Sequence, residues 1–153
     1  MTYWLMKSEP DVYGIKDLAQ DGTTLWDGVR NYQARNFLKE MKPGDRVFFY
    51  HSNTSPLGIV GVMEVAESQV VDPTQFDQDS KYYDSKSSPD DPRWHTVTVV
   101  FVEQWATMVT LDQLRDAFSP EELLLVRRGN RLSVMPIEEA IAQAILKLAK
   151  HPN

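Results

Sequence analysis

The chain has 153 residues, 42% hydrophobic and 25% charged, which is ordinary usage for one globular domain spanning residues 1–153 and argues against disorder. It has no cysteine, which excludes disulfides, thiolate metal sites and a thiol nucleophile. A net charge of −6 excludes unselective coating of nucleic acid, whose affinity comes from neutralising phosphates, so any such binding needs a local basic patch and a specific pocket.

In chain order, Tyr3 to Lys7 reads as a first strand ended by Ser8-Glu9-Pro10. Ile15 to Gln20 suits one short helix, stopped by Asp21-Gly22. Asn31 is placed to cap a helix with Ala34, Phe37, Leu38 and Met41 on one face. Pro43-Gly44-Asp45 makes a turn into a buried strand, Arg46 to Tyr50. His51 to Leu57 is a loop, and Gly58 to Ala66 resumes a strand in which Gly58 and Gly61 suggest a bulge or a close backbone approach. Gln69 to Pro92 is the longest irregular stretch, rich in Asp, Ser and Pro. His95 to Trp105 is the clearest strand. Thr110 with Gln113 forms a capping-box pattern, and Ser119-Pro120-Glu121-Glu122 forms a better one, so a helix is expected after each. Leu132 to Met135 is a last short strand, and Ile137 to Lys150 a closing amphipathic helix.

Strands and helices do not alternate regularly. The expected fold is therefore α/β of the α+β type, a mixed sheet curled into a partial barrel with helices outside it. The first residues lack a signal-peptide pattern, and the longest apolar run, Val97 to Val102, is far too short to span a membrane, so a cytoplasmic protein is expected.

No nucleophile elbow, phosphate loop, dinucleotide fingerprint or zinc motif is present, and His51, His95 and His151 lack metal-ligand spacing. No catalytic residue, metal or cofactor is therefore assigned. Lys7 and Glu9, at the end of the first strand, are the only catalytic candidates; surface charge explains them as well. The segment Trp26 to Asn36 is different. Trp26 on a glycine-containing loop is either a core residue beside a capped helix or a platform on which a base stacks. Asn31 can donate to and accept from a base edge, and Arg30 and Arg35 can reach phosphates. Pro92-Arg93-Trp94 could supply an opposite wall. Arg127, Arg128 and Arg131 form a second basic group, which alone reads as a solvated turn.

These segments also carry a resemblance. Tyr3-Trp4-Leu5-Met6-Lys7-Ser8-Glu9-Pro10, Trp26 to Asn36, Phe49-Tyr50-His51-Ser52-Asn53, Gly58-Ile59-Val60-Gly61, Pro92-Arg93-Trp94 and Gly129 to Pro136 resemble the EVE domain family over nearly the whole chain. The resemblance implies a PUA-like fold related to YTH domains. It also implies a non-enzymatic module that captures a modified base, such as a modified cytosine, in DNA or RNA. It makes Trp26 and Trp94 walls of a base cage, with Lys7, Ser8, Asn31, Ser52 and Asn53 as polar lining; Arg30, Arg35 and Arg131 are the phosphate contacts expected beside it. Two alternatives are a hydrolase of modified nucleosides using Lys7 and Glu9, and a protein–protein module using the acidic segment. From Glu64 to Asp91 that segment holds eight acids against Lys81 and Lys86. It would repel phosphate.

Overall fold

A computed structural model describes residues 2–150. Its strands are β1 (Tyr3–Ser8), β2 (Thr23–Leu25), β3 (Arg46–His51), β4 (Gly58–Val71), β5 (His95–Thr110) and β6 (Val134–Ile137). Its helices are α1 (Pro10–Tyr13), α2 (Ile15–Asp21), α3 (Tyr32–Glu40), α4 (Leu111–Ala117) and α5 (Glu139–Lys150). The six strands form one sheet in the order β2-β5-β4-β3-β1-β6, open at both ends. The pair β1 and β3 is parallel and every other pairing is antiparallel. This is the mixed, unclosed sheet the sequence implies.

The parallel pair reads as nearly continuous apolar sequence because both of its faces are covered. Trp4, Met6, Val47 and Phe49 enter one core with Ile15 and Leu18 of α2 and Ala34 and Leu38 of α3. Tyr3, Leu5, Phe48 and Tyr50 enter the other with Leu114 of α4 and Ile141, Ala142 and Ile145 of α5. Each Val, Leu, Ile, Phe or Met among them contributes about 1.5–3 kcal/mol by leaving water. The turn before β3 is fixed by buried Asp45, whose carboxylate accepts hydrogen bonds from Trp4 Nε1 (3.0 Å), Thr2 N (3.1 Å) and Lys42 N (3.0 Å).

Two expected caps form. Asn31 Oδ1 accepts from Ala34 N at 2.9 Å, and Thr110 exchanges bonds with Gln113 at the start of α4. A third does not lead where expected. Ser119 and Glu122 do bond reciprocally, but no α-helix follows; only a 3₁₀ turn, Leu124–Val126, is present. Leu123 and Leu125 both sink into the core, a period of two that an α-helix cannot satisfy. The strand after Gly58 runs five residues further than expected, to Val71, and the strand from His95 runs five further, to Thr110. Register shifts along this pair, one of them between Ile59 and Gly61, let the long hairpin curl. The closing helix starts at Glu139, because Ile137 completes β6.

Residues 72–94 are ordered by buried polar groups. Asp72, 1% exposed, accepts from Gly28 N, Arg30 Nη1, Thr74 N and Thr74 Oγ1. Gln75, fully buried, donates to the carbonyls of Asp72 and Trp94 and accepts from Trp94 N and Ser87 Oγ. Burial works to raise the Asp72 pKa, but the bonds from Thr74, Gly28 and Arg30 outweigh it and hold the carboxyl below its ordinary range.

Candidate functional site

A cavity of about 480 Å³ opens where β1 and β2 end. That is the size of a small-molecule site. Lys7 and Ser8 project from the end of β1, while Glu9, Val12 and Tyr13 come from α1 and its approach. Trp26 to Arg30 form the wall after β2, Ser133 contributes from the segment before β6, and Lys81 and Tyr82 close over from the long loop.

Trp26 is held on both sides. Its N–H donates to the Val97 carbonyl at 3.0 Å, its own carbonyl accepts from Thr96 Oγ1, and its ring meets Phe49 edge-on at 5.4 Å. It is both a core residue, 8% exposed, and part of the cavity wall. Gly28 makes the second wall possible. It has φ +85°, and a Cβ there would lie 2.6 Å from the Tyr82 ring. Only glycine allows that conformation and that approach together.

Arg30 locks the roof. Its guanidinium has five N–H donors, and all five are used. Nε and Nη2 donate to the Tyr82 carbonyl (3.0 and 2.8 Å), Nη1 to the Val29 carbonyl (2.8 Å) and Asp72 Oδ2 (3.1 Å), and Nη2 also to Thr74 Oγ1 (2.9 Å). The sequence suggests a phosphate contact at Arg30; in the structure its five donors are all spent within the chain.

Trp94, expected to face Trp26, does not line this cavity. Its ring, 5% exposed, stacks on Tyr32 (centroids 4.8 Å, planes 18° apart) and donates from Nε1 to Asp84 Oδ2 at 2.8 Å. Arg30 lies over Trp94 at 5.1 Å and over Tyr82 at 5.7 Å, while Arg35 lies over Tyr32 at 4.8 Å. Arg35, Tyr32, Trp94, Arg30 and Tyr82 thus form one packed column that ends at the cavity roof. Arg35 also donates to the Arg93 carbonyl and to Asn36, so three of its N–H groups are engaged within the chain.

The other expected residues divide by place. Lys7 and Ser8 line the cavity with Trp26. Ser52 and Asn53 lie across Lys7, in a second cavity that Lys7 also lines. Asn31 does not reach the first cavity: its Oδ1 caps α3, and it borders a third depression with Arg131. His151 lies outside the described residues. Sequence reasoning missed Tyr82 and Asp27. The signal for the first was a pair of adjacent aromatics, Tyr82-Tyr83, in a loop rich in Asp, Ser and Pro.

Of the polar groups of the cavity, Lys7 and Ser8 are half-buried and Glu9 and Asp27 are exposed. Burial lowers the pKa of Lys7, and no carboxylate among the described residues forms an ion pair with it. Burial, then the charge of Asp72, raises that of Asp27. Ser8 Oγ donates to the Tyr13 carbonyl at 2.6 Å, which leaves its lone pairs to accept. Glu9 Oε1 accepts from Asn53 Nδ2 at 2.7 Å. Aromatic walls with Lys7, the carboxyls of Glu9 and Asp27 and the Ser8 hydroxyl between them suit a planar, polar-edged ring.

A family model described as the EVE domain matches residues 2–148. The chain belongs to the EVE domain family. It is 40% identical to mouse thymocyte nuclear protein 1 over 164 residues, 95% of this chain and 73% of that protein. A crystal structure of human THYN1 protein in complex with 5-methylcytosine-containing DNA superimposes with a TM-score of 0.93 at 36% identity, covering 100% of both chains. The YTH domain of Zygosaccharomyces rouxii MRB1 protein, in complex with N6-methyladenosine RNA, shares the fold at a TM-score of 0.57 and 15% identity. The PUA-like architecture is thus common to this EVE domain and the YTH domain.

Proposed function

We propose that this EVE domain captures a modified base, 5-methylcytosine in DNA first among candidates, in the cavity between Trp26 and Tyr82, and releases it unchanged. The observation that carries the reading is the aromatic-walled cavity at the end of β1, in a chain that aligns end to end with a relative crystallised with 5-methylcytosine DNA. A base leaving a duplex loses stacking and pairing at a cost of a few kcal/mol, which two aromatic walls offset. Its Watson–Crick edge then needs partners, because the base gives up water as it enters the cavity. Lys7 supplies donors, Ser8 an acceptor, and Asp27 either an acceptor or, when protonated, a donor.

Lys7 and Glu9 do not form an acid–base pair: Glu9 is engaged by Asn53. This supports binding over hydrolysis. Both points are open to one set of measurements. Purified protein is titrated with matched oligonucleotides carrying 5-methylcytosine or cytosine in DNA, and N6-methyladenine or adenine in RNA. The expected result is tighter binding of one modified member of a pair. Tyr82→Ala should weaken that binding by roughly 5- to 150-fold, the worth of one stacking partner. Equal affinity for modified and unmodified strands, with Tyr82→Ala silent, overturns base capture. Mass spectrometry after prolonged incubation should return only starting material, and a product that disappears in Lys7→Ala favours the hydrolase.

A further inference from the structure

Lys7 is a wall between two cavities. Across it from the aromatic cavity lies one of about 520 Å³ bordered by Ser52, Asn53, Arg115, Arg127, Arg128 and Asn130. No acidic residue lines it, although the protein carries −6 overall and the aromatic cavity includes Glu9 and Asp27. The Lys7 ammonium leans this way, 5.8 Å from the ring centroid of Tyr50, which lines only the second cavity. Arg115 is partly neutralised, 3.7 Å from Asp112, whereas Arg127 and Arg128 are exposed and form no ion pair among the described residues.

The two arginines stand on a rigid turn. Asn130 N donates to the Arg127 carbonyl at 3.1 Å, and Gly129 takes φ +78° at the third position, as a type II turn requires. Asn130 fastens it from below, donating to the Leu124 carbonyl (2.9 Å) and accepting from Leu132 N (3.0 Å). The same turn borders the third depression, where Arg131 joins it, so cationic surface runs on continuously from the second cavity. Two exposed cations on a braced turn, with no ion-pair partner among the described residues and one wall away from a base cavity, match the backbone of the strand that delivers the base.

We propose that the second cavity seats the sugar–phosphate backbone beside the captured nucleotide, with its phosphates on Arg127 and Arg128 and Lys7 between phosphate and base. This rests on the base-capture reading but has a separate readout. The probes are a short DNA duplex carrying one 5-methylcytosine, its unmodified counterpart, and free 5-methyl-2′-deoxycytidine, which has no phosphate. In the double variant Arg127→Ala/Arg128→Ala both duplexes should bind at least about tenfold more weakly at low salt. The slope of log affinity against log salt should become shallower by about 2, close to 0.9 for each phosphate that is no longer neutralised. Nucleoside binding should not change. An unchanged slope overturns the proposal, as does loss of nucleoside binding in a variant whose circular dichroism is intact. If the wild-type protein shows no modified-base preference while the double variant still flattens the slope, base capture fails and the backbone seat stands.

Discussion

Two hydrogen bonds, 3.0 Å from Nε and 2.8 Å from Nη2, tie the guanidinium of Arg30 to the backbone carbonyl of Tyr82, 52 residues away. The roof of the cavity is therefore held by a side chain from its wall. Arg30→Ala would release that carbonyl and leave the nearly buried Asp72 carboxylate without its cation. Loss of one partner of such a pair costs about 3–5 kcal/mol. Urea denaturation should show a loss near the lower figure, because Gly28 and Thr74 still bond Asp72. Arg30→Lys should recover little, since an ammonium cannot make the same five bonds. A variant of wild-type stability with a flattened salt dependence of DNA binding would instead return Arg30 to the phosphate.

Gly28→Ala tests the packing of the roof. The added methyl group meets the Tyr82 ring and the backbone keeps a positive φ, which costs about 1–3 kcal/mol for a residue with a side chain. Tyr82 should be displaced, and modified-base affinity should fall as its stacking weakens. Isothermal titration alongside thermal melting separates the two effects. Intact affinity in a destabilised variant would mean that Tyr82 is not a wall of the site.

Asp27 sets stability against binding. Its folded pKa is raised, so its contribution is fully present below the unfolded value near 3.8 and is lost as pH rises through the folded one. Partial burial, then the Asp72 charge, thus make the ionised carboxyl less favoured in the folded chain at neutral pH. Asp27→Asn should raise the melting temperature at pH 7 and leave it unchanged well below pH 3.8, while weakening base capture. A lower melting temperature at pH 7 would contradict this sign.

His51 makes stability depend on pH in the opposite sense. Its Nε2 accepts a hydrogen bond from Ile15 N at 3.2 Å, which only the neutral ring can do, and burial lowers its pKa below 6.5. His95, whose Nδ1 is buried without a partner among the described residues, is lowered by burial and then by Lys39 and Arg35. In both cases the unfolded chain takes up a proton before the folded one. Stability is full above about pH 6.5 and falls as pH drops from there toward the folded values. Urea midpoints between pH 5 and 8 should rise with pH, and His51→Gln should flatten the rise. A flat wild-type profile would sink the assignment.

The elements legible in the sequence were those whose period is local. β1, β3 and the capped α3 follow from apolar spacing and from Asn31. β2 is three residues long at an edge, too short to carry a pattern. The roof was not legible, because its order comes from polar contacts between residues 42 to 52 positions apart, such as Arg30 with Asp72 and Tyr82. Trp94 illustrates the limit. Its place at the end of the loop was readable, but the side its ring takes is decided by Tyr32 and Arg30, which no spacing rule connects to it. Trp26 was readable as either core or wall, and it is both.

The roof loop and the arginine turn stand on opposite sides of Lys7, and their charges are opposite. Asp72, Asp77, Asp79, Asp84, Asp90 and Asp91 belong to the loop, and Arg127, Arg128 and Arg131 to the turn. Even counting Lys81, Lys86 and Arg93, the loop is net negative and the turn net positive, so the charge of these two segments is uneven across Lys7. A polyanion drifting near the protein feels a torque before it feels a contact, and arrives turn first, with its backbone clear of the loop.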